Sequence, residues 1–305
     1  MFKRALPLTL ALTVNATAAP ITIKHDLGTT TLPGIPKRIV VIQEETAELL
    51  AVLGVKPVGF ASTRVSNAKL GQPLTALTTP AAKQIGTPIY VRTHDQPSQE
   101  VILALKPDLI LMNAGDDGSN SLYPALSKIA PTIAFDFSEG RTGWRKALTE
   151  TARVFNKTTL ANRYLVTYDT RVQTLRAQLA STFNGSNRTA LLYMYQATDL
   201  MALGQRFSFS RALSALGMTL VMPSGLDSDR VFHVLSSEVL PTLKTDRIVL
   251  LRLTHNGQPL ARNNLDVLMA RTGAKITTYL LDPQEPSSGP ITDLKRVEAL
   301  ANLLR

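Results

Sequence analysis

Short runs of β-branched and aliphatic residues recur along the chain, with helical patterns between them. The runs Arg38–Ile42, Pro57–Ala61, Asp108–Met112, Thr132–Phe137, Thr189–Tyr195, Asp246–Arg252 and Ile276–Leu281 predict strands. Apolar residues spaced three and four apart predict helices near Glu45–Leu53, Ser98–Leu105, Leu122–Ile129, Trp144–Phe155, Ser210–Leu216, Ser236–Leu243, Leu265–Arg271 and Thr292–Leu304. Strands apolar at consecutive positions are buried on both faces, and intervening helices supply the crossovers that parallel strands need. The expected class is α/β.

One segment breaks the alternation. Lys157–Ser181 contains no Gly or Pro, and Leu160, Tyr164, Tyr168, Val172, Leu175 and Leu179 form a single apolar stripe. At 1.5 Å per residue such a helix is about 38 Å long, the width of a small domain. With βα units on both sides, it reads as a rigid connector between two Rossmann-like lobes. The expected organisation is an N-terminal lobe over 19–156, a bridging helix over 157–182 and a C-terminal lobe over 183–305.

The lobes share a local echo. Ser98-Gln99-Glu100-Val101 leads through Leu105-Lys106-Pro107-Asp108 to Ile110, and Ser236-Ser237-Glu238-Val239 leads through Leu243-Lys244-Thr245-Asp246 to Ile248. Seven positions are identical at one fixed offset, and both copies sit at a helix-to-strand step.

Composition adds the compartment. Lys3 and Arg4 precede a short apolar run, Ala5–Val14, and the small residues Ala16 and Ala18 follow in signal-peptidase spacing. Residues 1–18 are therefore expected to be an export signal cleaved after Ala18. The run is too short to span a bilayer, which needs about 20 residues. The chain has no cysteine, so neither a disulfide nor a lipid anchor on cysteine is available, and the expected location is the periplasm or cell envelope. Net charge is +10, falling to +8 without Lys3 and Arg4. That excess favours an anionic partner. No Lys/Arg-rich run is interleaved with aromatics, which argues against nucleic acid. No G-x-S-x-G, P-loop or G-x-G-x-x-G occurs, so nothing points to an enzyme. Asn113–Asn120 lacks the spaced ligands and closing Glu of a calcium loop and reads as a turn.

Leu32-Pro33, Pro36-Lys37-Arg38-Ile39-Val40-Val41-Ile42 and Leu53-Gly54-Val55-Lys56-Pro57-Val58-Gly59 resemble the opening of the iron–siderophore substrate-binding proteins of ABC importers. Ile85-Gly86-Thr87, Pro97-Ser98-Gln99-Glu100, Ala104-Leu105-Lys106-Pro107-Asp108-Leu109-Ile110 and Ile129-Ala130-Pro131-Thr132 continue the resemblance, which is closest to the ferric-dicitrate branch. It implies two α/β lobes joined by one helix, with a ferric siderophore or ferric citrate between them. It also implies a monomer with no cofactor of its own, since the iron arrives inside the chelate. By the resemblance Glu100 and Glu238, one per lobe, dock onto arginine pockets of a permease dimer.

Ligands of open parallel sheets sit beyond the carboxyl ends of the strands. That places Gln43, Glu44, Thr63, Arg64, Asn113, Ser138–Arg141, Tyr195, Gln196 and Arg252–His255 on the rim, with the loop Pro88–His94 and Gln205-Arg206-Phe207. Guanidinium groups bind carboxylate oxygens bidentately and keep their charge, so Arg92, Arg141, Arg206 and Arg252 rank first. Tyr90, Trp144 and His255 complete the expected ligand-binding set. His94, His233 and His255 are too few and too scattered for a zinc or manganese site. Haem, with Tyr90 or His94 as axial ligand, and cobalamin stay open as cargo, and a ligand-sensing receptor component stays open as another class.

Overall fold

The structure, a computed structural model, describes residues 19–305 apart from 66, 76, 78, 116–118, 138–142, 184, 186, 195–198, 256–257, 260–263 and 283–287. At 119, 237, 255, 258, 259, 264, 265 and 268 it describes the backbone only. The expected signal segment, Arg141, Tyr195, Gln196 and the centre of the Asn113–Asn120 turn lie outside the described residues.

An antiparallel hairpin, β1 (Ile21–His25) and β2 (Gly28–Leu32), leads into the first lobe. There β3 (Ile39–Ile42), β4 (Gly59–Ala61), β5 (Ile89–Tyr90), β6 (Leu109–Asn113) and β7 (Thr132–Phe135) form a parallel sheet in the order β5-β4-β3-β6-β7. The helices are α1 (Glu44–Val52), α2 (Ala82–Ile85), α3 (Gln99–Ala104), α4 (Tyr123–Leu126) and α5 (Gly143–Val154). Ile39, Val41, Leu109 and Leu111 enter one core, while Val40, Ile42, Ile110 and Met112 enter another. A strand with both faces covered must be apolar throughout, which is the pattern the sequence carries.

Next comes α6 (Thr158–Phe183), 26 residues long. Its Ala161 and Tyr168 are buried in the first-lobe core and its Leu175, Leu179 and Phe183 in the second-lobe core, with Val172 packed against both. The stripe differs from expectation at its start, where Ala161 is buried and Leu160 is exposed.

The second lobe contains β8 (Arg188–Met194), β9 (Leu200–Leu203), β10 (Thr219–Leu220), β11 (Phe232–Leu235), β12 (Arg247–His255), β13 (Gln258–Pro259) and β14 (Lys275–Leu281). Its helices are α7 (Ser208–Ala215), α8 (Asn264–Ala270) and α9 (Pro290–Leu304). Here the expectation of a purely parallel sheet is corrected. β8 pairs in parallel with β10 and β12, and β12 with β14, but β9 runs antiparallel between β8 and β11. The short runs Leu200–Leu203 and Phe232–Leu235 carried too little period to be read as strands. Ser237–Thr242, expected as an α-helix, is a 3₁₀ segment with Pro241 inside it, and Pro cannot donate the α-helical hydrogen bond.

The C-terminal helix also joins the lobes. Ile291 and Leu294 of α9 pack on the first-lobe core, whereas Val297, Leu300, Ala301 and Leu304 are buried in the second. Among the described residues no helix is long and apolar enough to cross a membrane.

Candidate ligand-binding site

The order β5-β4-β3-β6-β7 reverses direction between β3 and β6, and the crevice beyond that switch point is where such sheets take ligands. A cavity of about 430 Å³ opens there, within the range of small-ligand sites. The first lobe lines it from its strand ends: Gln43 follows β3, Arg64 follows β4, His94 follows β5, Asn113 ends β6 and Phe137 follows β7. The opposite wall comes from Arg206, Phe207, Ser208 and Arg211 at the start of α7, with Val231 beside β11 and Ser288 before α9.

The floor is the first turn of α1. Gln43, at φ 85°, turns the chain out of β3, and the Thr46 hydroxyl donates to its carbonyl at 2.8 Å. Glu44, Glu45 and Glu48 are all buried on this one helix, and each meets a different environment. Glu44 accepts from the Ser62 hydroxyl and from Arg64 Nη1 at 3.0 Å, so its charge is matched. Glu48 reaches across to α9. Its Oε2 accepts from the backbone N–H groups of Ile291 at 2.8 Å and Thr292 at 2.9 Å, and its Oε1 accepts from the Thr292 hydroxyl. A carboxyl group from the first lobe thus caps the N-terminus of a helix shared with the second. Gly289 permits the approach, because a Cβ there would lie 2.4 Å from Glu48 Oε2 and φ is 123°. Burial pushes the Glu48 carboxyl up to about 8, outweighing its three donors.

Glu45 lies between them, only 3% exposed, and lines the cavity. Its Oε2 has no hydrogen-bond partner among the described residues. Burial, followed by the charge of Glu44, pushes its carboxyl up to about 7.

On the opposite wall, Gly204 lets the turn between β9 and α7 lie against the chain entering β11, since a Cβ there would meet the Arg230 carbonyl at 1.9 Å. Gln205 N–H then donates to Ser228 O at 2.8 Å, which sets Arg206 at the cavity. Arg211 Nη1 donates to Arg206 O at 2.7 Å, tying the two basic residues together. Burial lowers the Arg211 pKa, but guanidinium starts so high that it keeps its charge.

Of the residues expected to hold ligand, the structure places Arg206 on the cavity. Four others stand elsewhere. Tyr90 is packed in the first-lobe core, its hydroxyl donating to Ser62 O at 3.3 Å. Arg92 is exposed at φ 86° and offers its carbonyl to Ser62 N–H. Trp144, expected as a flat ligand contact, packs inside the first-lobe core. It is 2% exposed, its ring centroid lies 5.0 Å from that of Tyr168, and its Nε1 donates to Asp293 Oδ2 at 3.2 Å. Arg252 is buried and ion-paired with Asp266 of α8. Arg141 and the side chain of His255 lie outside the described residues. Arg64, His94, Asn113 and Gln43 were legible as strand-end positions, whereas Glu45 and Arg211 carried no signal beyond their proximity to β3 and to Arg206.

The expected docking residues are both exposed. Glu100 follows Ser98, whose side chain accepts from Val101 N–H, and Glu238 follows Ser236, whose side chain accepts from Glu238 N–H. Among the described residues, no three His, Asp or Glu side chains gather as metal ligands.

Two α/β lobes, a long helix between their cores and a cavity at the switch point define a helix-bridged, bilobal binding-protein fold. The chain belongs to the periplasmic binding protein family, whose model matches residues 39–259. It is 35% identical over 165 residues, 53% of this chain, to the "Probable siderophore-binding lipoprotein YfiY" of Bacillus subtilis. It is 27% identical over 228 residues, 73% of this chain, to the "Fe(3+)-citrate-binding protein YfmC" of the same organism. These matches span 47% and 66% of the two relatives, less than two thirds of either. In fold the chain is similar to Staphylococcus aureus SirA complexed with staphyloferrin B, with a TM-score of 0.71 at 22% identity, covering 93% of this chain and 98% of that one.

Proposed function

We propose that this chain is the extracytoplasmic binding component of an ABC importer, capturing a ferric siderophore or ferric citrate in the interlobe cavity and delivering it to a permease dimer through Glu100 and Glu238. The observation that carries the reading is the cavity wall. Arg64, His94, Arg206 and Arg211 converge on one space from both lobes, as an anionic chelate requires. The names of YfiY and YfmC support the same cargo class. Iron enters as cargo in its own chelator, so the protein needs only to hold the chelate's periphery. On this reading the protein is a carrier with no catalytic step. Residues 1–18 direct its export, and a chain without cysteine then stays free of a lipid anchor.

Native mass spectrometry against ferric citrate, a ferric hydroxamate, a ferric catecholate, haemin and cobalamin tests the reading. A ferric chelate should be retained at micromolar affinity or tighter. Arg206→Ala should weaken it by about 1.5–3 kcal/mol, the scale of a charged hydrogen bond. Retention of haemin alone, or of no ferric chelate, overturns the proposal.

A further inference from the structure

Glu45 is the one buried carboxyl on α1 whose role the fold does not consume: Glu44 is paired with Arg64, and Glu48 caps α9. An acid that is 3% exposed, with an oxygen lacking a partner among the described residues, costs folding energy unless something else satisfies it. That oxygen belongs to a residue on the wall of the candidate cavity, where a ligand can reach it. We propose that Glu45 is a proton-dependent specificity residue: as the neutral acid it donates a hydrogen bond to an anionic oxygen of the bound chelate, so that chelate and one proton are taken up together. This inference rests on the ferric-chelate reading of the cavity.

The surrounding charges favour that form. On its own helix Glu45 neighbours Glu44 and Glu48. Arg64 approaches from the segment after β4, but it is engaged by Glu44. His94 faces the same space from beyond β5, and Arg206 and Arg211 face it from α7. The backbone N–H of Glu45 itself and that of Ser288, from the segment entering α9, donate to the Glu45 carboxyl. Burial and the Glu44 charge outweigh Arg64 and the backbone donors, leaving the acid up near 7. A chelate carboxylate placed against Oε2 adds another negative charge and raises it further. The proton balance is simple: one O–H bond forms on Glu45 as the chelate enters, with the proton drawn from solvent. At higher pH the ionised carboxylate repels the chelate.

Calorimetry at pH 7.5, in two buffers of different ionisation enthalpy, counts the protons taken up when ferric citrate, or the ferric complex of 2,3-dihydroxybenzoate, binds. The unaltered protein should take up about three quarters of a proton, and its affinity should fall about tenfold per pH unit above about 7. Glu45→Gln keeps a donor without an ionisable proton, so uptake should vanish and its pH profile should flatten. Comparing the two proteins at each pH removes any pH dependence of the chelate itself. His94→Asn should leave the slope in place. Zero uptake by the unaltered protein, an unchanged slope in Glu45→Gln, or a slope removed by His94→Asn alone overturns the inference. The measurement on the unaltered protein holds even if a variant fails to fold. Binding that is tight but flat with pH sinks only the role of Glu45, whereas failure of both probes to bind at any pH sinks the ferric-chelate reading with it.

Discussion

In the first lobe Asp108 accepts from the backbone N–H groups of Lys37 at 2.8 Å and Arg38 at 2.7 Å, while Arg38 Nε returns a bond to Leu105 O at 2.8 Å. In the second lobe Asp246 accepts from the N–H of Arg188 at 3.0 Å, while Arg188 Nη2 reaches Lys244 O at 3.1 Å. The sequence echo is therefore the same Arg–Asp clamp built twice, each fastening one strand's end to its neighbour's. Beyond the clamp the lobes part. The first keeps a parallel sheet whose strand ends meet at a switch point, and the cavity floor follows from them. The second places β9 antiparallel beside β8, and its cavity wall comes from the turn before α7. The scaffold side of the two lobes stayed alike while the ligand side diverged.

If the likeness extends to Glu100 and Glu238, each starting a segment just after a serine cap, then both glutamates dock in equivalent ways. Reversing both, Glu100→Lys with Glu238→Lys, should abolish uptake of the chelate and stimulation of the importer's ATPase while ligand affinity stays near wild type. Opposed like charges cost several kcal/mol across an interface. Each single reversal should give a partial and similar loss. Full uptake by the folded double variant would remove the docking role, and a large loss from one lobe alone would break the equivalence.

The contact that unites the lobes comes next in size. Glu48→Ala strips the cap from α9 and leaves the Ile291 and Thr292 N–H groups without an acceptor, so stability should fall by about 2–4 kcal/mol. The pH dependence has a definite sign. The folded-state pKa of Glu48, about 8, lies above its ordinary value of 4.5, so the native state holds more protons than the unfolded chain between them. The contribution is complete below about 4.5 and is lost as pH rises through about 8. Urea titrations from pH 5 to 9 should show declining stability, with a shallower decline in Glu48→Gln. A stability that rises across that window would contradict the assignment.

What the sequence disclosed follows from which side of each lobe it concerns. Ile39–Ile42 and Leu109–Met112 announce a doubly covered strand because every position is buried, and the α6 stripe survives with only Leu160 displaced to the surface. The strand-end rule located Gln43, Arg64, His94 and Asn113 without saying which would face the cavity. Charge alone does not report position: Arg252 pairs with Asp266, 14 residues on in α8, and Arg92 is exposed at positive φ. The packing of Trp144 was not legible either: α9 returns near the end of the chain to bring Asp293 within reach of its indole, and local pattern does not report such a pairing. The acids of α1 read as an ordinary acidic helix start, and only the return of α9 makes Glu48 a cap.

The smallest expected effect bears most directly on the duplicated clamp. Asp108 holds two N–H groups and Asp246 holds one, at a longer distance, so the two should differ in worth although they occupy the same place. These bonds are exposed to water, which supplies replacement partners when the carboxylate is removed and limits the net cost of each. Asp108→Ala should cost about 1–2 kcal/mol and Asp246→Ala about 1 kcal/mol or less, read as a shift of the urea midpoint at constant slope. Amide exchange locates the loss. Asp108→Ala should speed exchange at Ile110 N–H, which donates to Pro131 O beside the clamp, and leave the amides of β12 unchanged. Asp246→Ala should do the reverse, loosening the start of β8 and its pairing with β12 through Arg247 and Thr189. Equal losses would mean that bond count does not set the strength of the clamp. A loss that spreads across both lobes from either site would mean that α6 and α9 couple the two sheets so tightly that neither lobe's clamp acts on its own lobe alone.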